Sequence, residues 1–99
     1  MAGSKPKDEF SSFFSVKVKR RAFKALEPLP TDYKLRVLEV LDELSSNPIP
    51  YKRYDLKKLK GYKDTFRIRL GDLRIVYTID WSSKSITVHY IGPRERAYR

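Results

Sequence analysis

Residues 65–80 read TFRIRLGDLRIVYTID, a β-hairpin that places three arginines on one face. The alternation is strict: Phe66, Ile68 and Leu70 point to one side, and Thr65, Arg67 and Arg69 to the other. Gly71-Asp72 reads as a two-residue hairpin connection, with glycine first as a type II′ turn requires. That turn sets the register, with Leu70 facing Leu73, Arg69 facing Arg74, Ile68 facing Ile75 and Arg67 facing Val76. Directly opposed side chains lie about 4.5–5.5 Å apart at Cβ, and like charges there repel. Along the strand, Arg67 and Arg69 stand roughly 7 Å apart. Folding gains nothing from three guanidinium groups so placed, whereas a phosphate would be gripped by them.

Working downstream, Trp81 to Lys84 form a four-residue loop into a last strand, Ser85 to Ile91. Pairing Asp80 with Ser85 sets Thr78 opposite Thr87 and Val76 opposite His89. His89 is then expected on the arginine side and Tyr90 on the core side. Gly92-Pro93 breaks this strand, and residues 94–99 close the chain. Trp81, in a hairpin loop, is expected to pack on its neighbours rather than to stack on a base.

Upstream, residues 48–63 read as irregular, with two prolines and then Lys52, Arg53, Lys57, Lys58, Lys60 and Lys63 around Gly61. Before them, Tyr33, Val37, Val40, Leu41 and Leu44 recur at helical steps, with Thr31 as the expected N-cap, Asp32 in the first turn and the stop at Pro48. Residues 20–27 form a short basic helix carrying Ala22, Phe23 and Leu26, ended by Pro28 and Pro30. Phe13 to Val18 alternates, with Phe14, Val16 and Val18 on one side, and reads as a first strand. The small, polar residues that precede it are expected to be a disordered tail over 1–12, native or left over from cloning, before a single domain over 13–99.

The fold class is therefore α+β: strand, helix, helix, then an antiparallel β-meander. The helical hairpin is expected on the Phe66, Ile68, Ile75, Tyr77, Val88 and Tyr90 face of a small twisted sheet, because such a sheet needs a packing layer. The opposite face carries the arginines to solvent.

Ninety-nine residues make one small domain, and 40% hydrophobic with 13% aromatic residues favours folding over disorder. No apolar run approaches the ~20 residues that cross a bilayer, and no signal-peptide core stands near the start, so no membrane partner is expected. The absence of cysteine excludes disulfides and thiolate metal sites and suits a reducing cytoplasm. Twenty-two Lys and Arg against twelve Asp and Glu give a net charge of +10. That points to nucleic acid, a membrane surface or an acidic protein, and the clustering of the basic residues favours nucleic acid. With one histidine, His89, and no acidic cluster on the strand pair, neither a metal nor another cofactor is expected.

The stretch Lys58-Leu59-Lys60-Gly61, the hairpin from Phe66 to Tyr77, and the closing Gly92-Pro93-Arg94-Glu95-Arg96 resemble the RelE toxins of type II toxin–antitoxin systems, the archaeal members most of all. The resemblance spans residues 14–98 in element order and length. It implies a ribosome-dependent mRNA endonuclease that cuts A-site codons, in which the 2′-hydroxyl attacks the adjacent phosphate to leave a 2′,3′-cyclic phosphate and a 5′-hydroxyl. It further implies an acidic, partly disordered RelB-like antitoxin as partner. Arg67 and Arg69 fall where bacterial relatives carry lysines that act as base and charge stabiliser. Arg74 matches the transition-state arginine, and Arg94 the arginine that serves phosphate binding or leaving-group protonation. Tyr98 stands for the C-terminal tyrosine that stacks on a base, although it follows Arg94 by fewer residues than in the bacterial pattern. The basic residues Lys52, Arg53, Lys57, Lys58, Lys60, Lys63 and Arg96 would hold ribosomal RNA through salt-sensitive phosphate contacts.

Arginine does not give up its proton near neutral pH, so Arg67 and Arg69 are poor bases. Either positioning and charge stabilisation suffice, or His89 serves as the base. Two rivals share these features. One is a ParE-like toxin that inhibits gyrase, a class that generally lacks a basic trio with a terminal arginine. The other is an RNA-binding module without catalysis, which need not be encoded beside a small acidic partner.

Overall fold

The hairpin forms as its alternation predicts in the computed structural model of the chain, which describes residues 13–93. Strands β3 (Thr65–Leu70) and β4 (Leu73–Asp80) pair antiparallel, with Arg69 opposite Arg74 and Arg67 opposite Val76. Gly71 has φ +58° and Asp72 is not among the positive-φ residues, which is the type II′ pattern. A Cβ at Gly71 would also meet the Tyr33 hydroxyl at 3.2 Å, so both backbone and packing call for glycine here.

Around this hairpin stand β1 (Ser15–Val18), α1 (Arg20–Lys24), α2 (Thr31–Ser46), β2 (Asp55–Lys58) and β5 (Ser85–Gly92). The sheet has five strands in the order β1-β5-β4-β3-β2. β5 continues the meander antiparallel to β4, and β1 adds to β5 in parallel, with Val16 beside Ile86 and Val18 beside Val88. The meander is thus widened at both edges into a mixed sheet. Its far edge corrects the reading of 48–63 as irregular, because β2 lies within that stretch and pairs with β3. Of Asp55, Leu56, Lys57 and Lys58 only Leu56 is apolar, so no alternation marks the strand. The open edge of β3 makes it one, a case of context overriding propensity.

The first turn of α2 is a second correction. Thr31 is the first helical residue rather than the cap, and no side chain caps this end. Pro30 holds an extended backbone (φ −58°, ψ 152°), which turns its carbonyl towards the amides of Tyr33 and Lys34, both at 3.0 Å. The Lys34 contact is the first regular helical bond, and the Tyr33 contact satisfies one of the helix's open donors with a backbone oxygen.

Val37, Val40 and Leu44 of α2, with Ala22 and Leu26, close over Ile68, Ile75, Tyr77, Ile86, Val88 and Ile91. Each large side chain in this layer contributes about 1.5–3 kcal/mol by leaving water. α1 packs on β5, and α2 reaches β1. Tyr77 is fully buried and donates its hydroxyl to the carbonyl of Pro48 at 2.7 Å, tying the loop after α2 to the sheet. Burial pushes that phenol's pKa well above its usual value. Among the described residues no helix is long and apolar enough to cross a membrane.

Candidate active site

With one sheet face under the helices, the other carries the polar partners of each strand in three rows. The pairing sets Asp55, Arg69, Arg74 and Gly92 in the first row and Lys57, Arg67, Val76 and Tyr90 in the second. The third holds Thr65, Thr78, Thr87 and Lys17. Strand parity alone places Arg67, Arg69 and Arg74 together.

The crowding of these guanidinium groups has an answer in β2. Asp55 Oδ2 lies 3.1 Å from Arg69 Nε, and Asp55 Oδ1 lies 3.5 Å from Arg67 Nη2. One carboxylate thus bridges two of the three arginines and fixes the direction in which they point. Arg67 is the more enclosed, its side chain 12% exposed against 49% for Arg69. The expectation that all three reach solvent therefore fails for Arg67, which Asp55 and the neighbouring strands cover. Arg74 Nη1 leans back to the carbonyl of Gly71 at 3.4 Å.

The other side of the site is shaped by a break in register. Tyr77 pairs with Val88 but Val76 pairs with Tyr90, so His89 is an extra residue in β5. Parity inverts beyond it. Tyr90 therefore leaves the core face expected for it and joins the arginine face, while Ile91 takes the buried position opposite Ile75. A Cβ on Gly92 would lie 2.5 Å from the Tyr90 hydroxyl, so the phenol lies over the bare glycine directly across from Arg74. A glycine inside a strand commonly marks such a close approach.

His89 stays on the arginine face, as its strand position predicts, but it bends towards the threonine row. Its Nε2 is 2.9 Å from Thr78 Oγ1, which is 2.9 Å from Thr65 Oγ1, which donates to the carbonyl of Lys63 at 2.9 Å. The carbonyl can only accept, and each hydroxyl has one proton. Thr78 must therefore donate to Thr65, and His89 Nε2 must carry a hydrogen and donate to Thr78. In the neutral ring Nδ1 is then the acceptor. Burial, and secondarily the charge of Lys19, hold this histidine's pKa below its ordinary 6.5.

The remaining basic residues divide. Lys57 stands beside Arg67 on the outer face, and Lys58, Lys60 and Lys63 line the loop around Gly61. Arg53 turns away to Glu43 of α2 at 3.2 Å, and Lys52 lies over the ring of Tyr51. Neither of these two joins the arginine rows. Arg94, Arg96 and Tyr98 lie outside the described residues. Trp81 packs edge-on against Phe14, 5.5 Å between ring centres. Among the described residues no group of three His, Cys, Asp or Glu side chains is placed to share a metal ion.

Asp55 and Tyr90 are the site residues that sequence reasoning missed. Gly92 two residues after Tyr90 was the available signal for one; the other lies in β2, which carries no alternation to read.

The sequence pattern of the ParE toxin of type II toxin–antitoxin systems, parDE, matches residues 14–98. The candidate toxin RelE1 of Methanocaldococcus jannaschii is 35% identical over 86 residues, covering 87% of this chain and 96% of that protein. The toxin fold in the archaeal RelE–RelB complex of Pyrococcus horikoshii superposes with a TM-score of 0.77 at 37% identity, over 85% of this chain and 98% of that one. The Escherichia coli RelBE complex shares the fold alone, with a TM-score of 0.69 at 24% identity over 84% and 99% of the two chains. A two-helix layer on a five-stranded mixed sheet, matched in sequence over nearly its whole length, leaves one assignment: the chain belongs to the ParE/RelE family of type II toxins.

Proposed function

We propose that this toxin is a metal-independent endoribonuclease that cuts ribosome-bound mRNA within A-site codons and so stops translation. The observation that supports this reading is the convergence of Arg67, Arg69 and Arg74 on the sheet face away from the helices, two of them aligned by Asp55 and the row flanked by Tyr90. In the reaction the 2′-hydroxyl releases its proton to solvent as its oxygen bonds to phosphorus, and the bond to the 5′-oxygen breaks as that oxygen takes up a proton from solvent, leaving a 2′,3′-cyclic phosphate and a 5′-hydroxyl. The phosphorus passes through a five-coordinate state with extra negative charge. Fixed guanidinium groups stabilise that charge more than the ground state, which is what accelerates the step. Arg74 grips the scissile phosphate, with Arg67 and Arg69 on its free oxygens. Arg94 holds the leaving-group side and Tyr98 stacks on a base, as in the family. The rate comes from positioning and charge. His89 bends towards the threonine row and lies beyond the guanidinium row, so the base role is not assigned to it.

Docking on the ribosome follows from the charge. Lys57, Lys58, Lys60 and Lys63 extend the positive face away from the rows, where they would meet ribosomal RNA in the cytoplasm, and Arg96 is proposed to add a further phosphate contact. The partner that restrains the toxin is a RelB-like antitoxin, acidic where it covers this surface. The 37% identical archaeal toxin in its RelE–RelB complex supports that reading.

The test uses purified protein on programmed ribosomes, with mRNA ends mapped by primer extension. Wild type should cut in the A-site codon, and Arg74→Ala should slow cutting by about 10²–10³, the usual loss when one transition-state donor is removed. Intact mRNA with wild type would refute the reading. A second reading, inhibition of gyrase, is favoured only by the ParE name of the matching pattern. A supercoiling assay that is inhibited while mRNA stays whole would put it first, and mRNA bound but never cut would leave an RNA-binding module.

A further inference from the structure

We propose that the hollow beside His89 is a base-reading pocket, which takes one nucleobase of the substrate RNA by an edge that carries an amino group. The proposal deepens the ribonuclease reading and rests on it.

The hollow has a volume of about 300 Å³ and is lined by Leu59, Tyr62, Thr65, Val76, Thr78 and His89. That suits a small ring and lies at the lower end of ordinary ligand cavities. Leu59 and Val76 supply apolar walls, and Tyr62 supplies an aromatic ring of the kind on which unstacked RNA bases rest. Beside the Tyr62 hydroxyl, the polar side chains are His89, Thr78 and Thr65, joined in one chain. The proton chain from His89 through Thr78 and Thr65 ends on the Lys63 carbonyl, so both hydroxyl protons point along the chain. The ring nitrogen outside that chain is Nδ1, an acceptor when the ring is neutral. A pocket with that acceptor favours a base presenting N–H₂, as adenine, cytosine and guanine do. Uracil has no amino group, and its one edge donor, N3–H, is flanked on both sides by carbonyl oxygens that the imidazole lone pair repels, so it makes the poorer partner.

Position supports the same occupant. Val76 faces Arg67 across the β3–β4 pair and stands two residues from Arg74, so the pocket begins about 5 Å from one arginine and 7 Å from the other. A phosphate on the arginines would leave its neighbouring base at this opening. On the outer side, Lys58, Lys60 and Lys63 line an adjoining hollow that shares Leu59 and Tyr62, which places cations for the next stretch of backbone.

The probes are trinucleotides with 2′-O-methyl groups, which bind without being cut, differing only in the central base. His89 is the only histidine of the chain, so ¹⁵N-labelled imidazole gives one pair of ring signals. Central A, C or G should shift the Nδ1 signal and bind about five- to tenfold more tightly than U, the worth of one neutral hydrogen bond. His89→Gln keeps an N–H towards Thr78 and lacks Nδ1, and should shrink that ratio to about twofold or less. Leu59→Trp fills the hollow without touching the chain and should abolish the shift while the backbone amide spectrum shows the fold intact. Equal binding of all four with Nδ1 unmoved, or a ratio that survives His89→Gln, overturns the proposal. Failure of ribosomal mRNA cutting alongside a positive base ratio would instead remove the ribonuclease reading and leave the pocket standing.

Discussion

Asp55→Asn is the perturbation that separates a built arginine cluster from a chance one. Asp55 sits 3.1 Å from Arg69 and 3.5 Å from Arg67, half exposed itself. An exposed pair is worth about 0.2–1 kcal/mol, which is the expected share of the Arg69 contact. Arg67 is different, because its side chain is 12% exposed. Removing one partner of a buried pair costs about 3–5 kcal/mol, and the half-exposed carboxylate lowers that figure. Asp55→Asn should therefore destabilise by about 1–3 kcal/mol in urea unfolding. Arg69→Ala should cost less than about 1 kcal/mol, because it also relieves the repulsion with Arg74 directly opposite. The same Asp55→Asn change removes the one anion from the arginine rows, so single-stranded RNA should bind more tightly and with a steeper salt dependence. One further phosphate contact adds about 0.7 to the slope of log K against log salt. If Arg69→Ala destabilises more than Asp55→Asn, or if RNA binding weakens in Asp55→Asn, the carboxylate does not organise the cluster and the argument fails.

Gly92→Ala should displace the Tyr90 phenol, whose hydroxyl would lie 2.5 Å from the new Cβ. The ring tip can swing away, so stability should shift by only about 0.5–1.5 kcal/mol in urea unfolding. Tyr77→Phe leaves the Pro48 carbonyl without its 2.7 Å partner in a buried setting and should cost about 1–3 kcal/mol in thermal or urea unfolding. The depressed pKa of His89 makes the folded state the poorer proton binder, so its contribution to stability is whole above about pH 6.5. It should be lost as pH falls below that value, and a flat urea midpoint between pH 7 and 5 relative to His89→Gln would contradict this.

What was legible in the sequence was whatever depended on local period. The 65–80 hairpin announced itself because its alternation and its Gly71-Asp72 turn agree, and Val37, Val40 and Leu44 marked the helix face for the same reason. What was illegible depended on pairing. β2 has no alternation to read, and with it went Asp55, the residue that makes three neighbouring arginines tolerable. Tyr90 was read onto the wrong face because one extra residue in β5 inverts every side chain after it, and no local signal other than Gly92 records the bulge. The threonine chain that sets the His89 tautomer joins residues from three strands and a loop, which is beyond any window of sequence.

The most direct test of the central claim is the chemistry of the mRNA ends left on programmed ribosomes under single turnover. The proposed ribonuclease reading predicts a cut inside the A-site codon, ending in a 2′,3′-cyclic phosphate and a 5′-hydroxyl. Arg74→Ala should form the same ends about a hundredfold or more slowly with ribosome binding little changed. Uncut mRNA, or ends bearing a 3′-hydroxyl and a 5′-phosphate, would contradict it.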